Sequence, residues 1–218
     1  MTVTSYRIMF FDFDGVISDS LNICMEEINN LSMQMFPQIP AVHSKDDMVV
    51  VYGERLRDSL KRFGLSDGQS RLFFDLHSKA MARRKSEIYP FEKMVRTLSD
   101  IPLRKVIVTS SYSTAVYEIL SKCYHFREDS FQMVLGREVK LNKSQKIRKA
   151  IQFFEATYEE ALYLGDLVSD IIYCRDIPID IAAVGYGYHP PEYLQRFHPT
   201  FLLKSEDEVE SFLYKLID

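Results

Sequence analysis

Residues 7–16 carry an apolar run, Ile8-Met9-Phe10-Phe11, that stops at Asp12-Phe13-Asp14-Gly15. Such a run reads as a buried strand, and strand alternation puts Asp12 and Asp14 on one side with Phe13 turned away. Carboxylates at the end of an apolar strand need a partner. Two like charges held close repel, so the pair calls for a bound divalent cation or a raised pKa on one member. Gly15 lets the backbone turn sharply after them.

The spacing then changes to a helical one over residues 21–87, with no strand pattern. Ile23, Ile28, Leu31 and Met35 predict one apolar face, Leu56, Leu60 and Phe63 a second, and Leu72, Phe73, Leu76 and Ala80 a third. Gly64 and Asp67-Gly68 punctuate this block, and Ser18-Asp19-Ser20 and Tyr89-Pro90 bound it. From Phe91 on, helices and strands alternate. Helices are expected at 93–100, 114–124, 143–156, 168–175, 192–197 and 206–217, with strands at 105–109, 131–135, 161–164, 180–184 and 200–203. Repeated βα units give a mostly parallel sheet with helices on both faces. The predicted fold is therefore a doubly wound, Rossmann-like α/β core, residues 1–17 and 88–218, interrupted by an all-helical domain at 18–87.

Bulk properties narrow the class. A chain of 218 residues, 46% hydrophobic, fits one domain with an insert. A formal net charge of -4 argues against a dedicated nucleic-acid binder. Cys24, Cys123 and Cys174 are odd in number and far apart, which suggests no disulfide framework or zinc site and points to a reducing, cytoplasmic setting. The short N-terminal apolar run is cut at Asp12, and no later run approaches membrane-spanning length, so a soluble, unprocessed protein is expected. The five histidines show no metal-ligand spacing.

In a doubly wound sheet, ligands bind beyond the carboxyl ends of the strands where strand order reverses. The first strand ends there in Asp12 and Asp14, and the next in Thr109-Ser110-Ser111 beside a helix start. A third ends in Gly165-Asp166, with Asp170 one helical turn on. Lys143, at the start of its helix, is placed to offset the accumulated negative charge. Lys140, Lys146 and Lys149 compete for that role, although such a basic stretch, like Arg83-Arg84-Lys85, generally forms a solvated face.

Together these residues resemble the haloacid dehalogenase superfamily of aspartate-nucleophile hydrolases, in its helical-cap branch near phosphoglycolate phosphatase and beta-phosphoglucomutase. The resemblance rests on Asp12-Phe13-Asp14-Gly15-Val16 with Asp19-Ser20, on Ser110, on Lys143 and on Gly165-Asp166-x-x-x-Asp170. Val184-Gly185-Tyr186-Gly187-Tyr188 and Leu194 extend it. It implies that Asp12 is a nucleophile attacking phosphorus and that Asp14 is the general acid and base. It further implies Mg²⁺ held by Asp12, the Asp14 backbone carbonyl and Asp166, with Asp170 acting through water or steering Lys143. Ser110 would bind the phosphoryl group, with Thr109 the alternative if the strand ends sooner, and Lys143 would neutralise its charge. Gly15, Thr109, Ser111, Arg55 and Arg57 complete the implied substrate contacts.

Departures from the pattern shape the expected activity. The family's Lys-Pro-x-Pro is absent, because Ser144-Gln145-Lys146 follows Lys143. Where the mutases carry a cap arginine this chain has Leu56 between Arg55 and Arg57, and Cys24 stands in place of their histidine. Both differences favour a Mg²⁺-dependent phosphatase for a small phosphorylated metabolite over a sugar-phosphate mutase. Dehalogenation is disfavoured by the presence of Asp14 and Asp166. A non-catalytic binding or regulatory protein on the same fold is the remaining alternative. No nucleic-acid or membrane partner is expected, and the chain is expected to be a monomer or weak homodimer.

Overall fold

The computed structural model describes residues 6–217. Strand β1 (Ile8–Phe11) lies at the centre of a six-stranded parallel sheet with β4 (Arg104–Val108), β5 (Met133–Leu135), β6 (Ala161–Gly165), β7 (Asp180–Val184) and β8 (Phe201–Leu203). The strand order is β5-β4-β1-β6-β7-β8. The chain builds outward on one side of β1, then returns to build outward on the other, so the reversal falls between β1 and β6.

The apolar runs are continuous because the sheet is covered on both faces. Met9 and Phe11 of β1, Ile107 of β4 and Leu162 and Leu164 of β6 enter one cluster, while Ile8, Phe10, Val106, Val108 and Tyr163 enter the other. The first face is closed by α5 (Glu92–Asp100), α6 (Ser113–Leu120) and α10 (Glu206–Lys215), through Leu98, Val116 and Leu213. The second is closed by α7 (Lys143–Phe153), α8 (Val168–Arg175) and α9 (Pro191–Gln195), through Ile147, Ile171 and Leu194.

Between β1 and α5 lie four helices, α1 (Leu21–Gln34), α2 (Lys45–Tyr52), α3 (Leu56–Arg62) and α4 (Asp67–Arg83). The chain enters and leaves this insert through a two-stranded antiparallel ribbon, in which β2 (Ser18–Asp19) pairs with β3 (Tyr89–Pro90). The insert's interior is continuous with the first sheet face, since Ile28, Met48, Leu60 and Phe73 share a cluster with Phe13, Val16 and Tyr188. Phe36 and Phe73 meet edge-on at 5.5 Å between centroids.

Several expected features differ in detail. Met35 and Leu72 are 51% and 43% exposed rather than on apolar faces. Met35 falls one residue past the end of α1, and Phe73 takes the inward position on α4. Helix α6 stops at Leu120, where the Ser121 hydroxyl donates to the Glu118 carbonyl, instead of reaching 124. Helix α7 ends at Phe153 because Glu155 takes a left-handed φ of 52°. Strand β5 starts only at Met133, after the helical turn Glu128–Ser130. Arg84 is no solvated-face residue: its guanidinium joins Glu26, Glu27 and Glu87, tying the end of α4 to α1.

Phe10 is fully buried in the middle of β1, among residues of α7, α8 and the neighbouring strands. Phe10→Ala is expected to lower unfolding free energy by about 3–5 kcal/mol, read from urea unfolding monitored by circular dichroism.

Candidate active site

Strand β1 ends at Phe11, and the next residue still bonds across the reversal, with Asp12 N donating to the Leu164 carbonyl at 2.9 Å. This fixes Asp12 in the crevice between β1 and β6. Its carboxylate accepts from Phe13 N at 2.8 Å and from Lys143 Nζ at 2.5 Å. Lys143 also donates to Asp170 Oδ1 at 2.6 Å. The lysine is aimed by its position as the first residue of α7. Asn142 caps that helix, its side chain accepting from Gln145 N at 2.9 Å, while Gln145 Oε1 accepts from Asn142 N at 3.0 Å. The local order of this turn thus comes from a capping box and needs no proline.

Asp166 follows directly on β6 and is fully buried. Its Oδ2 accepts from Tyr188 N at 2.7 Å, while its Oδ1 is buried with no hydrogen-bond partner among the described residues. Asp170 Oδ2 accepts from Leu167 N at 3.2 Å. One oxygen each of Asp12, Asp166 and Asp170 lie within 4.8 Å of one another. Gly15, with φ of 78°, and Gly187 run so close to Asp166 that a Cβ at either would collide with its carboxylate. Three buried carboxylates, one with an orphaned oxygen, form an all-oxygen donor set suited to a hard divalent cation such as Mg²⁺.

Electrostatics agree with that crowding. Burial pushes the Asp166 carboxyl up, and the charges of Asp12 and Asp170 push it further. Burial raises Asp170 as well, against the pull of Lys143. Burial works against the Lys143 ammonium, yet Asp12 and Asp170 outweigh it and hold its pKa well above the usual lysine value.

Asp14 stands apart from this cluster. Its Oδ2 accepts from Ser111 Oγ at 2.6 Å and its Oδ1 from Ser18 Oγ at 3.4 Å. Burial raises its pKa, the Ser111 hydrogen bond pulls it down, and the Asp12 charge raises it again. The Asp14 carboxylate is thus turned away from the acidic cluster; what the resemblance implies at a metal is the Asp14 backbone carbonyl, not this carboxylate.

The remaining expected residues divide. Strand β4 ends at Val108, one residue sooner than anticipated, with Phe11 in register with Ile107, so Thr109 lies beside the Asp12–Asp14 turn. Thr109 is 1% exposed and its hydroxyl accepts from Ser111 N at 3.0 Å, whereas Ser110 is exposed. Both line a cavity of about 730 Å³ between the insert and the sheet, as do Asp12, Asp14, Ser111, Lys143, Arg55 and Arg57. Gly15 is not among the lining residues, because it packs against Asp166 and Tyr188. Lys146 is buried and donates to the Thr109 and Gly136 carbonyls at 2.8 and 2.9 Å, stapling α7 to the ends of β4 and β5. Lys140 and Lys149 are exposed.

Arg55 precedes α3 and pairs with Asp176 of the core at 3.7 Å, its guanidinium 5.8 Å from the Tyr173 ring centroid. Arg57 instead pairs within the insert, with Asp67 at 3.0 Å. Tyr52, His77, Arg137 and Tyr188 are among the lining residues not anticipated as site residues. The Ser20 and Tyr188 hydroxyls are 2.9 Å apart, and Cys24 Sγ lies 3.3 Å from Tyr52 Oη and 3.5 Å from His77 Nε2. Only Tyr188 carried a signal, in the Gly-Tyr-Gly-Tyr run. The others reach the cavity through the packing of insert on core, which leaves no local spacing to read.

The profile of haloacid dehalogenase-like hydrolases matches residues 9–184, and the chain belongs to that family of enzymes. A pyrophosphatase PpaX from Listeria welshimeri is 21% identical over 92% of this chain and 93% of its own. A phosphoglycolate phosphatase from Psychrobacter arcticus is 22% identical over 96% of each chain. Among solved structures, a predicted phosphatase from Clostridium acetobutylicum superposes with a TM-score of 0.78 at 20% identity, covering 96% of this chain and 99% of that one. All three free cysteines are buried, and no helix among the described residues is long and apolar enough to cross a membrane.

Burial pushes His77 down to about 4. Its folded-state pKa thus lies below the unfolded value, so the unfolded chain binds more protons as pH falls from about 6.5 toward 4. Stability is expected to decline across that window, and His77→Gln to flatten the decline, as measured by urea midpoints at pH 7, 6, 5 and 4.

Proposed function

We propose that the chain is a Mg²⁺-dependent phosphatase that hydrolyses a small phosphomonoester through an aspartyl-phosphate on Asp12. One observation carries this reading. Asp12 faces the cavity from a buried acidic cluster bonded to Lys143, while a second carboxylate, Asp14, is held outside that cluster with its pKa raised.

The division of labour follows from those environments. Asp12 attacks phosphorus as the ester bond to the leaving oxygen breaks, and Asp14 delivers the proton that oxygen takes up. Asp14 then accepts a proton from the water that attacks phosphorus, which releases phosphate and restores the Asp12 carboxylate. Ser111 holds Asp14 in place for both transfers. Lys143 and the Thr109–Ser110 hydroxyls are the groups on hand to balance the phosphoryl oxygens. Asp12, Asp166 and Asp170 would hold Mg²⁺, which would supply positive charge to offset that of the phosphoryl group.

We assign residues 18–87 as a cap over a core of 1–17 and 88–218. The cap excludes bulk water and, with Arg55 and Arg57, forms the wall opposite the nucleophile. The names of the relatives make pyrophosphate and phosphoglycolate the first compounds to screen, before hexose phosphates and nucleotides. Three unpaired, buried thiols support a reducing, cytoplasmic setting.

Asp12→Asn is expected to lower EDTA-sensitive turnover of p-nitrophenyl phosphate by at least about 10³-fold; full retained turnover overturns the assignment of the nucleophile. Independently of activity, Mg²⁺ at about one hundred times its Kd should stabilise the fold by about 2.7 kcal/mol. That corresponds to a Tm rise of roughly 5–10 °C for a chain of this size. Asp166→Asn should abolish the rise while increasing the metal-free Tm, because it removes one of three crowded charges.

A further inference from the structure

Arg137 is a cavity-lining cation that none of the chemistry above uses. It follows β5 and Gly136, in a loop held tightly to the core. Arg137 N donates to the Ser111 carbonyl at 2.8 Å, the Gly136 carbonyl accepts from Lys146, and a Cβ at Gly136 would crowd Ser113 N at 2.7 Å. The backbone that carries this guanidinium is thereby fastened to the residue whose hydroxyl holds Asp14. The Arg137 backbone is therefore anchored beside Ser111 and, through it, beside Asp14, the group assigned above to protonate the leaving oxygen.

The partner of Arg137 is weak in the sense that matters. Among the described residues its guanidinium makes one hydrogen bond, to Asp75 Oδ1 on α4, which leaves most of its five N–H donors uncommitted. The Asp75 side chain is 60% exposed and that of Arg137 only 20%. An ion pair with one half in water contributes at most about 1 kcal/mol, so an anion arriving from the cavity competes for the arginine at little cost. Asp75 is replaceable by solvent, whereas Arg137 lines the cavity and is mostly withdrawn from water.

We propose that Arg137 is a specificity-determining residue that binds a second anionic group carried by the leaving group. The substrates it selects are phosphate esters or anhydrides whose non-transferred part ends in a carboxylate or a phosphate. This rests on the phosphatase reading and deepens it. Arg137 accepts the distal anion through a forked pair of hydrogen bonds, in place of its contact with Asp75.

The test compares matched substrates with Mg²⁺ present. Phosphoglycolate against ethyl phosphate reads a distal carboxylate, and propane-1,3-diol bisphosphate against its monophosphate reads a distal phosphate. In the wild type, kcat/KM is expected to favour the doubly anionic member of at least one pair by about 10- to 100-fold. Arg137→Gln should collapse that preference by about tenfold or more, mainly through KM, with Arg137→Lys between the two. The preference is a ratio within one preparation, so it does not depend on how much of a variant is folded. Equal kcat/KM for both members of both pairs in the wild type overturns the proposal, as does a ratio unchanged in Arg137→Gln. In either case ethyl phosphate turnover still supports the phosphatase reading, whereas no EDTA-sensitive hydrolysis of any ester overturns that reading itself.

Discussion

Mutual repulsion among buried carboxylates is the constraint around which this molecule is arranged. Asp12, Asp166 and Asp170 converge within 4.8 Å, two of them with no exposure at all, and the cation on hand is Lys143. Desolvated like charges at that spacing cost several kcal/mol if left uncompensated. The elements that bring them together must therefore be held by forces larger than the repulsion. Those forces are the parallel sheet, with β1 and β6 side by side and fully buried, and the two apolar layers that clamp it.

The same arrangement explains why the two N-terminal carboxylates differ. They are separated by one residue, yet Asp12 joins the cluster and Asp14 turns to Ser111 and Ser18. Phe13 between them is fully buried, and its carbonyl accepts from Ile17 and Ser18 nitrogens at 2.9 Å. The turn at Gly15 gathers these bonds and sets the two side chains in separate environments. Close neighbours in the chain thus come to lie in different surroundings, and burial raises the pKa of Asp14 in its own.

Much of this was legible in the chain. The apolar runs of β1, β4, β6 and β7 announce strands buried on two faces, and the core elements appear in the expected order although several of their ends differ. The carboxylates Asp12 and Asp166 were legible because each sits just beyond a strand end, where topology dictates position, and Asp170 because it lies one helical turn further, on α8. Residues whose place depends on tertiary contact were not. Met35 and Leu72 fit a helical period but face water, since a period says nothing about which turn is the last or which of two adjacent large residues turns inward. Lys146 looked like one more surface lysine and is instead buried against two carbonyls. Tyr52, His77 and Arg137 reach the cavity only once the insert lies on the sheet.

The two-residue ribbon of β2 and β3 has an effect on how such a molecule diversifies. Because Ser18 pairs with Pro90 and Asp19 with Tyr89, the departing and returning backbones stand side by side, about 5 Å apart. A segment with adjacent ends can be lengthened, trimmed or grafted from another fold without rethreading a single strand of the sheet. The sheet and the carboxylates beyond its strand ends keep their places while the overlying helices are free to change.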